Sequence, residues 1–184
     1  RLQNRLLDLP QTRVTRARVC EGLAGDVVVT AVADEEYASV GMQAVLQRRR
    51  TDAAIVTEPT GLGVCVAHKG FVWAEIETAG RAAHGSRPAE GVDAIARMAP
   101  VITRLAALAD ELDARPGHEL TGPGSVHASL IEGGQELSSY PASCTLSLER
   151  RTAPGETADD FERECAALAE GVEGAEVRMG LVRE

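Results

Sequence analysis

The sequence predicts two units of different class: part of an α/β sheet over residues 25–67, then a complete α+β domain over residues 68–184. Three observations carry this. "VVVTAVA" (27–33) is a continuous β-branched run, the pattern of a strand covered on both faces in a parallel sheet. "FVWAEIETAG" (71–80) instead alternates apolar and polar, as a half-buried strand does. Beyond it, Ile95, Met98, Ala99, Ile102, Leu105, Ala109 and Leu112 recur at helical spacing.

The first 24 residues are left unassigned. "RLQNRLLDLPQTRVTRARV" carries five arginines and one aspartate with poor periodicity, so a loosely ordered or displaced segment competes with a helix. From Asp26 the order is strand, then helix over "SVGMQAVLQRRR" with Ser39 as a possible cap, then a short buried strand in "DAAIVTEPTGLG". Strand, helix, strand in about 30 residues is a βαβ unit and implies parallel pairing.

The second unit opens with the alternating strand, which puts Val72, Ala74 and Ile76 on one face. After the long helix, "GSVHASLIEGG" and "ASCTLSLERR" read as two strands, the latter burying Cys144, Leu146 and Leu148. Thr157 or Asp159 starts a second helix with Phe161, Cys165 and Leu168 inward. "AEVRMGLV" closes the set with Val177, Met179 and Leu181 aligned. The order β-α-β-β-α-β is that of a ferredoxin-like domain.

Bulk properties exclude several roles. A net charge of -9 offers no strong basic face for phosphates, and 3% aromatics leaves little to stack on bases, so no nucleic acid is expected. No apolar run approaches the ~18 residues of a membrane span, and no signal peptide is expected. Cys20, Cys65, Cys144 and Cys165 form no close pair. A cytoplasmic protein without membrane contact is the expectation.

Chemistry concentrates at strand ends. Asp34, Glu35 and Glu36 follow the first strand and Glu58 the second. Ligand sites of open α/β sheets lie there, and clustered carboxylates suit a cation; the alternative is a solvated acidic loop. Pro59 biases Glu58 toward an extended conformation, though "EPT" also reads as an ordinary turn. In "GRAAHGSRP", small neighbours leave His84 approachable. His68, His118 and His127 read as structural or solvent-facing.

Four stretches taken in order carry a resemblance: "GDVVVTAVADEEYASVGM", "IVTEPT", "HKGFVWAEIETAGRAAHGSRPAEGVDAI" and "GGQELSSYPASCTLSLERRTAPGE". They resemble the family of acetylornithine deacetylase, succinyl-diaminopimelate desuccinylase, aminoacylase and glutamate carboxypeptidase, co-catalytic zinc hydrolases, over residues 25–184. The resemblance implies a partial catalytic domain over 25–67 and a lid or dimerisation domain over 68–184. It implies that Glu35 is the general base acting on the metal-bridging water, and that Glu36 and Glu58 are ligands of the two zinc ions. His84 would reach into the partner subunit's site to steady an oxyanion, which requires a homodimer formed through the lid domain. Arg151 would grip a substrate carboxylate, with Arg150 the neighbouring alternative, since strand alternation lets only one face the site. Ser138 stands where many members carry a substrate-binding asparagine.

The chain departs from the family pattern. Ahead of Asp26 the only acids are Asp8 and Glu21, and no histidine precedes His68. The expectation is therefore part of an enzyme that cleaves the amide of N-acylated amino acids or small peptides, inactive alone, with zinc absent or weakly held. The alternative is a non-catalytic dimerisation or small-molecule-binding module.

Overall fold

A computed structural model describes residues 13–17 and 25–183. The chain divides into two compact units, with the boundary in sequence between Gly61 and Leu62. The rest of the arginine-rich segment lies outside the described residues.

In the first unit, β1 (Arg13–Ala17) pairs antiparallel with β2 (Val27–Ala31), Arg13 opposite Ala31 and Ala17 opposite Val27. This corrects two expectations. Strand β2 has an antiparallel neighbour instead of a parallel one, and it is only partly covered. Residues 51–69 form no strand, and Ile55 and Val56 in the expected second strand are 92% and 71% exposed. The physical reason is proximity: β1 reaches the β2 edge through a short connection and satisfies its backbone groups at low loop-closure cost. A parallel partner would need a crossover.

Helix α1 (Val40–Leu46) is shorter than the periodicity suggests. Ser39 is not a side-chain cap: its φ is 51°, and its hydroxyl donates back to the Glu35 carbonyl at 3.2 Å. The arginine run lies past the helix end, where Arg50 Nη1 donates to the Leu46 carbonyl at 2.9 Å, a cation on an otherwise orphaned acceptor. Gly41 is required here, because a Cβ would stand 2.5 Å from the Ala33 nitrogen.

The second unit follows the sequence closely. Its elements are β3 (Gly70–Ala79), α2 (Ala94–Asp113), β4 (Ser125–Gly133), β5 (Ser143–Thr152), α3 (Ala158–Ala169) and β6 (Ala175–Arg183). The strands form one antiparallel sheet in the order β4-β5-β3-β6. Val72, Ala74 and Ile76 of β3 and Cys144, Leu146 and Leu148 of β5 share one face, and all are buried. Both helices cover that face, α2 through Met98, Val101 and Leu105, α3 through Phe161, Cys165 and Leu168. Each large apolar side chain so buried contributes about 2 kcal/mol.

Two sequence details shift. The buried stripe of α2 runs through Ala94, Met98, Val101, Leu105 and Leu112, whereas Ile95 and Ile102 remain 47% and 41% exposed. In β6, a register shift opposite Val72–Ala74 turns Val182, not Leu181, toward the core. The caps are well formed. Asp93 accepts from the Ala96 N–H at 2.9 Å, and Thr157 with Asp160 builds a capping box on α3. Arg104 of α2 donates to the carbonyls of Leu168 and Glu170, closing the C-terminal end of α3.

Candidate functional site

The acidic strand end of the first unit is a tight turn. Asp34 has φ 57°, its carbonyl accepts from Ser39 N–H at 2.6 Å, and its Oδ2 accepts from Ala38 N–H at 3.2 Å. Asp34 is thus spent on the turn, while Glu35 and Glu36 beside it are exposed. Glu58 is likewise exposed, its carbonyl held by the Thr60 N–H at 2.8 Å. Among the described residues, no three His, Cys, Asp or Glu side chains converge to hold a metal. By themselves the described residues therefore do not compose a zinc centre, which takes four converging ligands, commonly with imidazole among them.

In the second unit, the chain leaves β3 at Gly80, where a Cβ would stand 2.3 Å from the Val92 carbonyl oxygen. That close approach folds the His84 loop back on itself, Arg81 and Val92 exchanging backbone hydrogen bonds of 2.8 and 2.9 Å. The loop is also laced to the segment before β5. Gly85 N–H donates to the Ser138 carbonyl at 2.7 Å, and Tyr140 N–H donates to the Ala83 carbonyl at 2.8 Å. His84 and Ser138 are thereby brought together by backbone, and both side chains are exposed.

The Ser86 N–H donates to His84 Nδ1 at 3.2 Å, with the Ser86 hydroxyl 2.8 Å from the same nitrogen. With a backbone donor at Nδ1, the neutral ring carries its proton on Nε2. The Ser138 hydroxyl donates to Glu136 Oε2 at 3.0 Å, and Ser139 donates to the other oxygen. The Ser139 and Ser138 hydroxyls together hold the exposed Glu136 carboxyl below its ordinary range, with a smaller pull from His84. Sequence reasoning missed Glu136 and Ser86; the signal available was a carboxylate and a hydroxyl each two residues from a named site residue.

The two arginines separate as strand alternation demands. Arg150 is buried beneath the sheet, 2% exposed, with Glu156 at 2.8 Å and Glu164 at 3.0 Å. Arg151 lies on the open face, its Nε 2.5 Å from Glu149 Oε1. Arg151 pairs across the ladder with Phe71, whereas the His84 loop leaves from Ala79 beside Ser143, eight residues along. That is about 27 Å of strand, so one chain does not place His84 and Arg151 in a single site.

A four-stranded antiparallel sheet with both helices on one face, and with its loops tied at one end, defines a two-layer α+β domain. Residues 66–175 match the model of the M20 peptidase dimerisation domain, and the chain belongs to that family. It is 34% identical over 145 residues to the acetylornithine deacetylase of Proteus mirabilis (strain HI4320), covering 76% of this chain and 37% of that protein. It is 36% identical over 144 residues to the acetylornithine deacetylase of Yersinia pestis, with the same coverage. The chain thus spans little more than a third of the curated relatives it matches. A putative aminohydrolase from methicillin-resistant Staphylococcus aureus shares the fold, with a TM-score of 0.50 and 20% identity over 61% of this chain and 28% of that one.

Proposed function

We propose that this chain is part of a zinc-dependent amidohydrolase that removes the acyl group from an N-acylated amino acid or small peptide. The observation that carries this is the 34% identity to acetylornithine deacetylase, which extends over 145 residues. In this reading residues 25–67 belong to the catalytic domain and 68–184 are the ferredoxin-like lid. The β-α-β-β-α-β element order and the strand order β4-β5-β3-β6 support the latter. Zinc would supply a water activated near neutral pH, and Glu36 and Glu58 would be among its ligands. The described residues do not by themselves compose that centre. Glu35, exposed at the end of β2, accepts a proton from water and passes it to the leaving amine. His84 donates from Nε2 to the developing oxyanion in the partner subunit, Ser138 lies beside it, and Arg151 holds the substrate carboxylate.

The test is hydrolysis of N-acetyl-L-ornithine by the complete product of the coding sequence that contains these residues. Metal-dependent turnover that Glu35→Ala abolishes is the expected result. Turnover that survives Glu35→Ala removes that residue's role, and failure to cleave any N-acyl amino acid removes the reading. The 184-residue chain alone is expected to be inactive.

A second reading, a non-catalytic dimerisation module, rests on a separate observation. β4 is an edge strand whose Leu130 and Ile131 are 65% and 53% exposed, and Ile95 and Ile102 of the adjacent α2 are exposed as well. An open, apolar edge is a template for pairing with a second copy across a two-fold axis. The two readings share the homodimer and differ in whether the amide is cleaved. Among the described residues no helix is long and apolar enough to cross a membrane; the scattered cysteines support placing the protein in the cytoplasm.

A further inference from the structure

The open face of the sheet carries a closed square of four side chains. Phe71 and Trp73 are successive outward residues of β3, and their direct partners across the ladder are Arg151 and Glu149 of β5. All four sides of the square are contacts. The two rings meet with centroids 5.3 Å apart. The Arg151 guanidinium carbon sits 5.4 Å from the centre of the Phe71 ring. Trp73 Nε1 donates to Glu149 Oε2 at 2.9 Å, and Arg151 Nε donates to Glu149 Oε1 at 2.5 Å.

The atoms used matter more than the contacts themselves. Glu149 takes only the Nε of Arg151 and is itself held by the indole, with 14% of its side chain exposed. The guanidinium carbon lies over the Phe71 ring. Among the described residues, Nη1 and Nη2 have no hydrogen-bond partner. Arg151 is therefore held through its Nε and against the Phe71 ring, while the terminal two-nitrogen edge stays open to water on a side chain 44% exposed. That edge matches a carboxylate bidentately. A long, flexible side chain normally loses rotamer freedom when it binds; here the square has already removed it.

We propose that Phe71, Trp73 and Glu149 are positioning residues that hold Arg151 so that its Nη1–Nη2 edge takes a carboxylate-bearing small molecule. This rests on the reading of Arg151 as a carboxylate-binding group and adds the residues that orient it. Charge alone does not explain the arrangement, because Glu149 cancels most of the attraction an arginine offers at long range. Orientation is what remains.

The experiment titrates the full chain with N-acetylglycine and follows the Arg151 Nε–Hε signal by NMR. Wild type shows a resolved, exchange-protected Nε–Hε that shifts on titration. Phe71→Leu and Trp73→Phe change no charge; each is expected to weaken the probe by about threefold or more and to expose Nε–Hε to exchange. Phe71→Tyr keeps the ring and keeps wild-type affinity. Unchanged backbone spectra in the variants separate loss of orientation from loss of fold. Equal affinity in wild type, Phe71→Leu and Trp73→Phe overturns the positioning role while leaving Arg151 as the binding group. No titration in wild type, or equal titration in Arg151→Lys, overturns the reading of Arg151 itself.

Discussion

Arg150 donates from Nε to Glu164 Oε2 at 3.0 Å, tying the end of β5 to α3 beneath the sheet. The same guanidinium reaches both oxygens of Glu156 and the Arg151 carbonyl, so one buried cation organises the whole turn between strand and helix. Arg150→Ala should cost about 3 kcal/mol, because it takes the hydrogen-bonding cation from two part-buried carboxylates and leaves only Arg115, 3.8 Å from Glu164, near them. Urea unfolding reads this directly; a loss below 1 kcal/mol would show that water reaches the carboxylates.

The same network makes stability depend on acid. Burial by itself would push the Glu156 carboxyl up, but hydrogen bonds from Arg150 and the Ala153 N–H outweigh it and hold the group below 4.5. A depressed folded value contributes stability that is full above the unfolded pKa and disappears as pH falls through the folded one. The melting temperature should therefore drop as pH decreases below about 4.5, and drop less in Glu156→Gln. Parallel curves for the two proteins would remove Glu156 as a cause.

Thiol reactivity should divide by burial. Desolvation first, with smaller pushes from Glu164 and Glu162, raises the Cys165 thiol to about 12, and burial likewise raises Cys144. In a Cys20→Ser background at pH 8, exposed Cys65 should react with an aromatic disulfide within seconds to minutes, and the other two only on unfolding. Three equivalent thiols in the native protein would contradict the packing of β5 and α3.

The β4 edge should carry the self-association. Placing a charge there by Ile131→Lys, at a residue 53% exposed, should shift the chain toward monomer in sedimentation velocity without lowering its stability. A wild-type chain that is strictly monomeric at high concentration would count against the homodimer altogether.

Hydrogen exchange should be slower beyond His68 than before it. Among the described residues the first unit buries only Ala44 and Val45 as apolar side chains, while the second buries a continuous two-layer core. Equal protection throughout would mean that the exposed Ile55, Val56 and Val64 find partners in solution.

The second unit was legible because its information is local. Alternation in "FVWAEIETAG" and "ASCTLSLERR" specifies which side of each strand is apolar, and Thr157 with Asp160 marks where α3 begins. Helical spacing identified α2, yet the stripe it suggested included Ile95 and Ile102, because periodicity counts apolar residues without knowing how the helix is rotated against the sheet. In the first unit the sequence proved misleading. "VVVTAVA" does form β2, but a continuous apolar run says nothing about which neighbour will pair with it.

The candidate site divides in the same way. By itself the sequence determined the chemistry on offer: carboxylates after a strand in "ADEE", an approachable imidazole at His84, and adjacent arginines at 150 and 151 of which alternation lets only one face outward. Tertiary structure alone decided that Arg150 is the buried clasp and Arg151 the exposed fork. It also decided that Ser138 meets the His84 loop by backbone, and that Phe71 and Trp73, more than seventy residues away in sequence, hold Arg151 and Glu149 in place. Sequence pattern records which face a side chain takes on its own strand. Which strand lies alongside, and in what register, is set by pairing between distant segments, and every contact of that square depends on it.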